Sequence, residues 1–538
     1  MTQTVLFRKL NWVLMLDSSE QLLAEKNVPQ TLRQLFGGYR FWCLLIYSIF
    51  ILLITGNIAS HKHLWWDEIC AFYVATLPNV GAMWHALSSG IDWQTPTYYL
   101  PLHYLCVWLG PSPFVMRLIA IFPYWLATLV LYFTVARRTA PFYGFIAMLL
   151  PSITGAFSYA FEARPYALVL LFTACTLLCR QLAREQRFRR LALPALSISL
   201  AAAVCIHYNA CLIAVPLLIG EGAAWFYRRK LDFPVILAIC CAAIPVMALL
   251  PHILMIAHFT KAYSASPGVG TLADIYSELF PRFTVLAAAA ICVALAVWFS
   301  FERAKKRPAT DGTRRRAADE EYALTIITTA TFLLLPVVYF CLSFLTHTLY
   351  VRYVIETVIG GAMFVAFVLY DTRRTIPHLA GALLTLTILG TLTYAVKRVR
   401  TPDDNVWGSF AIYSELFDRN SKSLFGSNDP LLLGGGSYLL SVHYGDENLR
   451  RRSVYVVSDP DESPIAFSLA DRIFYKALEQ LLPGQVHLLT YAAIKRQYRH
   501  FQMYDPDPWL FNRLVRDGEA IRIRARLEHG PLYSVDIR

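Results

Sequence analysis

Apolar residues occur along the first three quarters of the chain in long runs that short polar segments separate. A helix needs about 20 apolar residues to cross the roughly 30 Å of hydrocarbon in a bilayer. Eleven runs approach this length, at 41–58, 113–136, 142–158, 166–183, 191–207, 209–227, 233–257, 282–301, 322–345, 352–370 and 376–396. The pattern therefore predicts a mainly α-helical fold, a polytopic membrane bundle of about eleven transmembrane helices.

Residues 397–538 show a different pattern, in which short apolar stretches alternate with amphipathic helical ones. Strands are predicted at Pro430–Leu433, Val454–Ser458, Val486–Thr490, Ala520–Leu527 and Leu532–Ile537, and helices at 408–418, 466–482 and 508–517. This alternation is typical of a small α/β unit. The glycine run at 434–436 follows the first strand and predicts a tight turn, with an anion cradle as the alternative.

The charge content separates the same two parts of the chain. Charged residues make up 16% of the whole chain, 12% of residues 1–396 and 26% of residues 397–538, against about 25% in ordinary soluble proteins. A disordered chain, a secreted disulfide scaffold and a cytosolic enzyme are therefore excluded. We predict a cytoplasmic N-terminal segment at 1–40, a membrane domain at 41–396 and an extracytoplasmic α/β domain at 397–538.

The basic residues predict the orientation of the bundle, because cytoplasmic loops carry an excess of Lys and Arg. One set of loops, together with residues 1–40, carries 24 of them, and the opposite set carries five. The N-terminus is thus expected in the cytoplasm and residues 397–538 on the outer face, as in a multi-pass protein of the bacterial inner membrane that faces the periplasm. Because the basic residues are scattered over short loops, the net charge of +12 does not indicate a nucleic-acid partner.

The first outer loop, 59–112, carries the first candidate site, at Trp65-Trp66-Asp67-Glu68. Ionisable residues at a membrane edge are costly, so each is a candidate functional residue. The two adjacent carboxylates point in different directions, so one can accept a proton while the other orients the acceptor or binds a cation. Taken alone, the pair also fits a solvated loop that caps a helix.

Further candidates follow along the outer face. Asp92 precedes an aromatic, proline-containing turn that also fits an interfacial aromatic belt. Arg164 and Arg352 depart from the inside-positive bias, and planar guanidinium groups suit a phosphate ligand. The alternative for these arginines is structural ion pairing with Glu162 and Glu356.

The order of these motifs resembles the GT-C superfamily of integral-membrane glycosyltransferases, over roughly residues 40–400. The matching elements are an aromatic-Asp-Glu after the first span, Asp-x-x-x-Pro-x-Tyr-Tyr-Leu, Ser-Tyr-x-x-Glu-Ala-Arg-x-Tyr-Ala-Leu, His-Tyr and Arg-Tyr. The chain is most similar to the branch of protein O-mannosyltransferases and lipid A aminoarabinose transferases. It departs from the family at Gln94-Thr95-Pro96, where relatives show His-Pro-Pro.

The resemblance implies that the protein takes a sugar from a polyprenyl-phosphate carrier on the outer face and transfers it, with inversion, to a hydroxyl of a lipid, glycan or protein. It implies catalytic roles for Asp67 as general base, Glu68 as its partner and Asp92 as the second carboxylate. Donor and phosphate binding is then expected at Arg164, Glu162, Arg352, Tyr353, His207 and Tyr208. Acceptor or sugar contacts are expected at Trp66, Tyr98, Tyr99 and Tyr166.

Two other functions share some of these features: a flippase or transporter of lipid-linked sugars, and a polysaccharide ligase or polymerase. A transporter is expected to carry its charges near the bilayer midplane, whereas here they lie at one edge. No cofactor is firmly implied. A divalent cation could bind His61, His63 and Asp67, or Asp92 with His207, although the spacing alone does not support either site.

Overall fold

The computed structural model describes residues 38–185, 187–260, 269–280, 313–346, 349–373, 378–402, 429–458, 467–527 and 530–538. The chain divides into two compact units, Met1–Ile51 and Leu52–Arg538. The described part of the first unit is the beginning of the helix Tyr39–His61. Almost all of the predicted N-terminal segment, and the predicted span at 282–301, lie outside the described residues.

The region before residue 401 is helical. Its helices are Tyr39–His61, Trp66–Ala75, Val80–Ser88, Pro96–Leu109, Pro113–Ala136, Pro141–Leu149, Tyr166–Ala183, Arg189–Ile206, Ala214–Arg228, Phe233–Cys240, Ala243–Thr260, Val269–Leu279, Thr313–Thr331, Leu335–Thr346, Thr357–Thr372 and Leu379–Arg400. Within the described residues, eight helical segments are long and apolar enough to cross a membrane, or nine if the bent pair Pro141–Ile153 and Gly155–Phe161 is one span. The predicted polytopic bundle is therefore confirmed.

The predicted runs and the observed helices agree closely. Each run that lies within the described residues corresponds to a helix, a bent pair of helices or two consecutive helices. The run at 352–370 corresponds to Thr357–Thr372, which is shorter than the other spans. The run at 142–158 is a pair of helices, Pro141–Ile153 and Gly155–Phe161, that meet at a bend of 78°.

Short 3₁₀ helices interrupt the bundle where the sequence places its candidate residues. They are Gly155–Phe161, Tyr208–Ile213 and Val351–Val354. The first break coincides with a close backbone approach, because a Cβ on Gly155 would lie 2.5 Å from the carbonyl oxygen of Glu278. Residues at these breaks leave the regular helical surface, and their side chains can converge on one site.

The described part of the C-terminal region folds as the predicted α/β unit, and the predicted helix at 408–418 lies outside the described residues. The strands are β1 Leu431–Leu433, β2 Ser453–Val457, β3 Leu488–Thr490, β4 His500–Tyr504, β5 Ala520–Arg526 and β6 Pro531–Asp536. They form a six-stranded sheet of order β3-β2-β1-β4-β6-β5. The helices are Gly435–Tyr444, Glu447–Arg452, Phe467–Leu481, Tyr491–Gln497 and Pro508–Arg516. Strands β1 to β4 pair in parallel, and β6 pairs antiparallel with β4 and β5.

Strand β1 of this sheet is buried on both faces. Alternate residues of a strand point to opposite faces, and in β1 Leu432 joins a core made of this unit alone. Its neighbours Leu431 and Leu433 join a second core, which also contains Ile69 and Val74 from the first outer loop. The sheet therefore packs directly against the loop that carries the candidate carboxylates.

The glycine run after β1 begins a helix instead of the predicted tight turn. Gly434 precedes the helix Gly435–Tyr444, and a Cβ on Gly434 would lie 2.0 Å from the carbonyl oxygen of Asp505. The side chain of Asp507 also approaches this helix end, with Oδ1 3.4 Å from the amide nitrogen of Gly435. Glycine is thus required at 434, because the backbone of Asp505 lies so close to it. The Asp507 carboxylate lies where the alternative prediction, an anion cradle, would place a bound anion.

Candidate active site

Four predicted site residues come together from separate segments of the chain. The Arg164 guanidinium donates a hydrogen bond of 2.7 Å to Asp92 Oδ2, and its other Nη lies 3.4 Å from Asp67 Oδ2. Arg352 approaches the same Asp67 oxygen at 3.6 Å. Two carboxylates and two guanidinium groups therefore form one cluster, with Asp67 between the two arginines.

The two aspartates of this cluster differ in how they are held. Asp92 accepts hydrogen bonds from Arg164, from the Tyr99 hydroxyl and from the backbone N–H of Trp93. Asp67 Oδ2 is buried and has no hydrogen-bond partner among the described residues, since both arginine contacts are longer than a typical hydrogen bond. The Asp67 side chain is also the more exposed, at 18% against 9% for Asp92. Asp67 is thus the carboxylate with free capacity to accept a proton.

Glu68 is directed away from this cluster, into a fully buried ion pair with Arg117. The pair is bidentate, with N–O distances of 2.8 and 2.7 Å. The backbone N–H of Ala163 donates to the same carboxylate at 2.8 Å. Burial alone would raise the pKa of Glu68, but the Arg117 charge, with that of Lys62, outweighs it and holds the pKa below its usual value. The partner role predicted for Glu68 stays a prediction, and its contacts favour a structural form of that role.

The ion pairs expected as the alternative for the two arginines do not form. Glu162 pairs instead with Lys62 at 2.7 Å, and both side chains are buried. Glu356 is almost fully buried, with one carboxylate oxygen that has no partner within the described part of the chain. Burial raises the pKa of Glu356 to about 8, so at neutral pH it is mostly protonated and is a poor counter-ion.

His207 lies in an aromatic pocket beside the cluster. Its ring is 5.0 Å from Tyr208, 5.0 Å from Tyr353 and 5.5 Å from Tyr166, measured between centroids. Burial lowers the pKa of His207 to about 3, and Arg164 and Arg352 add to this effect, so the ring is neutral.

The pocket contains two unpaired donors. His207 Nδ1 accepts from the backbone N–H of Asn209 at 3.3 Å, which places the ring proton on Nε2. Neither this Nε2 nor the Tyr166 hydroxyl has a partner among the described residues, although both are buried. Leaving a buried donor unpaired is costly, so the pocket is suited to a polar ligand.

Two of the predicted acceptor contacts, Tyr99 and Trp66, are engaged by the protein itself, whereas Tyr98 is not. Tyr99 donates its hydroxyl to Asp92. Tyr98 is completely buried, and its hydroxyl has no partner among the described residues. Trp66 packs against the Phe474 ring of the C-terminal region, with a centroid distance of 5.0 Å. Their roles toward an acceptor stay predictions, and their contacts here favour positioning of the aspartates.

A cavity of about 280 Å³ is lined in part by Arg352. Its wall contains Lys62, Arg352 and Arg398 as cations and Glu162 and Glu278 as acids. Among the described residues, no carboxylate lies within ion-pair distance of Arg398, which donates instead to the hydroxyls of Tyr394 and Ser158.

The same residues do not form a metal site. In the described ranges, no group of three or more His, Cys, Asp or Glu side chains comes together as metal ligands. The carboxylates of Asp67 and Asp92 face guanidinium groups, and His207 is held in an aromatic pocket. The guanidinium groups of the cluster are therefore suited to an anion.

Sequence reasoning missed three basic residues of this region. Of the Lys and Arg residues in 1–396, Arg117 alone belongs to neither set of loops, because it lies inside a predicted span. A charge inside a span is costly, and this cost is the signal that identifies Arg117 as a candidate. Lys62 stands out in the sequence only as one of the five basic residues in the opposite set of loops. Arg398 follows the last predicted span and was grouped with the outer domain.

Comparison with known proteins supports the fold. No protein-family model and no curated protein matches the chain in sequence. The crystal structure of ArnT from Cupriavidus metallidurans bound to undecaprenyl phosphate matches with a TM-score of 0.53 at 10% identity, covering 93% of this chain and 98% of that one. Its apo state matches with the same score and identity, over 92% and 97%.

A more distant match is the oligosaccharyltransferase of Archaeoglobus fulgidus, at 12% identity over 85% of this chain and 67% of that one. Its TM-score of 0.42 is below the level that indicates a shared fold. At 10% identity, the ArnT structures show a similarity of fold alone, and that fold is the polytopic helical bundle with a C-terminal domain that the resemblance implies.

Proposed function

We propose that this protein is a membrane glycosyltransferase, which moves a sugar from a polyprenyl-phosphate donor to a hydroxyl of a lipid, glycan or protein acceptor, with inversion. The observation that carries the proposal is Asp67, a partly exposed carboxylate whose Oδ2 lies 3.6 Å from Arg352 and 3.4 Å from Arg164 and accepts no hydrogen bond from the described residues. A proton acceptor beside an anion site is what this reaction requires. The ArnT structure of the same fold binds undecaprenyl phosphate.

The proposed reaction is a single displacement at the anomeric carbon. Asp67 takes the proton of the acceptor hydroxyl, whose oxygen forms the new bond to the sugar. The bond from the sugar to the carrier phosphate breaks, and its electron pair leaves with the phosphate. Arg352 stabilises the charge on that phosphate. Attack from the face opposite the leaving group inverts the configuration of the sugar.

Arg164 and Asp92 are suited to position Asp67 for this reaction. Arg164 bridges Asp92 and Asp67 and also donates to the backbone carbonyl of Asp67 at 3.2 Å. Asp92 in turn is fixed by Tyr99. The arrangement holds the Asp67 carboxylate next to Arg352, which also lines the cavity.

The aromatic pocket is the proposed binding site of the sugar. His207 Nε2 and the Tyr166 hydroxyl are buried donors without a partner in the described residues, and sugar hydroxyls would supply acceptors for both. Aromatic faces such as that of Tyr353 pack well on the apolar side of a sugar ring. Because both donors are neutral, the pocket would select by hydrogen bonding and shape.

The cavity beside Arg352 is the proposed seat of the donor phosphate, with Arg398 as a further ligand. Replacing Arg398 with glutamine should raise the KM for the donor about ten- to a hundredfold and leave kcat nearly unchanged, because a charge-assisted hydrogen bond contributes about 1.5–3 kcal/mol. Steady-state kinetics with a polyprenyl-phosphate sugar would measure this. Arg400→Gln, at an exposed position two residues away, is the control and should behave as wild type. An unchanged KM in Arg398→Gln would contradict this placement.

The function is tested by comparing the glycans, lipids and lipid carriers of cells with and without the gene, by mass spectrometry. The proposal expects one product to lose a single sugar residue and the polyprenyl-phosphate sugar to accumulate. Loss of a whole polymer would indicate a ligase or polymerase instead. Identical masses in the two strains would contradict the proposal.

The proposed location is the bacterial inner membrane, with the active site on the periplasmic side. The charge bias of the loops supports it. Protease accessibility or cysteine labelling of the C-terminal region in intact spheroplasts would test the orientation, and protection of this region from the outside would contradict it.

A further inference from the structure

The segment that carries Asp67 is attached to the C-terminal region. The hydroxyl of Tyr444 accepts a hydrogen bond of 2.7 Å from the backbone N–H of Leu64. The Trp66 ring lies 5.0 Å from Phe474 and packs against the edge of Tyr475 at 6.0 Å. Two of the three residues that precede Asp67 are therefore in contact with the C-terminal sheet and its helices.

This attachment extends over a common core. The buried cluster joins residues of the first outer loop, such as Ile69 and Leu87, to residues of the C-terminal region, such as Tyr438 and Leu478. A hydrogen-bonding pair, His443 Nδ1 and the Tyr73 hydroxyl at 3.2 Å, adds a polar contact. Burial of this extent is typical of a permanent interface rather than of a lid that opens with each turnover.

The opposite side of the segment is anchored in the membrane bundle. Arg117 donates to the backbone carbonyls of Lys62 and His63 as well as to Glu68. The chain from 62 to 68 is thus fixed by Arg117 on one side and by Trp66 and Leu64 on the other. Among the described residues, the Asp67 carboxylate makes the two longer arginine contacts alone, so its position depends on these two anchors.

We propose that Phe474 and Tyr475 are positioning residues that act on Asp67 through Trp66. The C-terminal region is then an integral part of the catalytic site, beyond the roles of acceptor binding or covering the site that its outer position suggests. This inference rests on the proposed function only for the role of Asp67, since the contacts themselves are independent of it. Tyr475 also donates its hydroxyl to the carbonyl of Gly435, which ties the ring to the helix that follows β1.

The matched test is a pair of phenylalanine substitutions in the C-terminal region. Phe474→Leu removes the ring beside Trp66. Phe511→Leu removes a ring that also lies on a helix of the sheet unit, but faces the other core, 5.3 Å from Tyr533. Phe474→Leu loses the pairs with Trp66 and Tyr475, and Phe511→Leu loses the pair with Tyr533, so the decrease in Tm is expected to be larger in Phe474→Leu.

The expected result separates positioning from stability. Phe474→Leu should lower kcat about ten- to a hundredfold with the donor KM unchanged, because a shift of about 1 Å in a reacting group can have this effect. Phe511→Leu should keep wild-type kcat. Trp66→Phe should retain more activity than Trp66→Ala, since a phenylalanine ring can still contact Phe474. Equal kcat values in Phe474→Leu and wild type, or equal losses in both Leu variants, would overturn the proposal.

A second readout does not need turnover. Hydrogen exchange of the peptide that covers residues 63–72 should be faster in Phe474→Leu than in wild type, and unchanged in Phe511→Leu. Unchanged exchange in Phe474→Leu would overturn the coupling even if the enzyme is active. Conversely, faster exchange in a protein that transfers no sugar would support the coupling and refute the proposed function, so the two failures are distinguishable.

Discussion

Asp67→Asn is expected to lower the rate of sugar transfer by about 10³-fold, within the range of general acid–base catalysis. Asparagine has the same shape, but its side chain cannot take the proton of the acceptor hydroxyl. The fold should be retained, because Arg164 keeps its hydrogen bond to Asp92 and Arg352 keeps the Tyr350 ring beneath its guanidinium, 4.6 Å from the ring centroid. Initial rates in detergent micelles, with a polyprenyl-phosphate sugar as donor, would measure the loss.

The control for this prediction is an exposed aspartate on a neighbouring helix. Asp274 lies in the helix Val269–Leu279 with its side chain in solvent, and Asp274→Asn should transfer at the wild-type rate. A well-folded Asp67→Asn protein that transfers sugar as fast as wild type would remove Asp67 from the mechanism.

Arg117→Met is expected to destabilise the protein by about 3–5 kcal/mol, which is typical when one partner of a buried ion pair is removed. The substitution leaves the Glu68 carboxylate buried without its counter-ion. It also removes the donor for three backbone carbonyls, those of Ala59, Lys62 and His63, at distances of 2.5 to 2.9 Å. For this reason a double replacement of Glu68 and Arg117 by apolar residues should not restore stability.

Thermal unfolding of the purified protein in detergent would measure this loss. The control is Arg137→Met, which removes an ion pair with Glu185 whose side chains are 39% and 33% exposed. Exposed pairs contribute about 0–1 kcal/mol, so Arg137→Met should unfold close to the wild-type temperature. If Arg117→Met unfolds at that temperature too, the buried pair does not hold the Asp67 segment as described.

The membrane fold was predictable because hydrocarbon permits few structures. A spanning segment must satisfy its own backbone hydrogen bonds, so long apolar runs become helices. The α/β class of the C-terminal region was also predictable, because short apolar stretches alternate with amphipathic helical ones along its sequence. The central strand β4 was not, because its sequence His500–Tyr504 mixes polar and apolar residues, and its Gln502 is fully buried.

The candidate site was predictable in its members but not in its pairings. Motif order and charge bias identified Asp67, Asp92, Arg164 and Arg352, which the structure brings together. The choice of partners depends on three-dimensional packing. Glu162 pairs with Lys62, a hundred residues earlier in the chain, instead of with the nearby Arg164.

The attachment of the C-terminal region to the catalytic loop was equally hidden from the sequence. Leu64 and Tyr444 are 380 residues apart, and the sequence around Tyr444 does not indicate which residue it contacts. A consequence is that deleting residues 400–538 would expose the common core of the outer loop. Such a deletion would disturb the fold together with any role of this region in acceptor binding. The paired phenylalanine variants test the role of this region without removing the common core.

The central claim is that the protein breaks the bond between a sugar and its polyprenyl phosphate. The most direct measurement reconstitutes the purified wild-type protein with a labelled polyprenyl-phosphate sugar and an extract of membrane acceptors, followed by mass spectrometry. We predict free polyprenyl phosphate, an equimolar gain of one sugar on an acceptor, and an inverted anomeric configuration in the product. Movement of the labelled donor across the bilayer with its sugar–phosphate bond intact would contradict the claim and indicate a flippase.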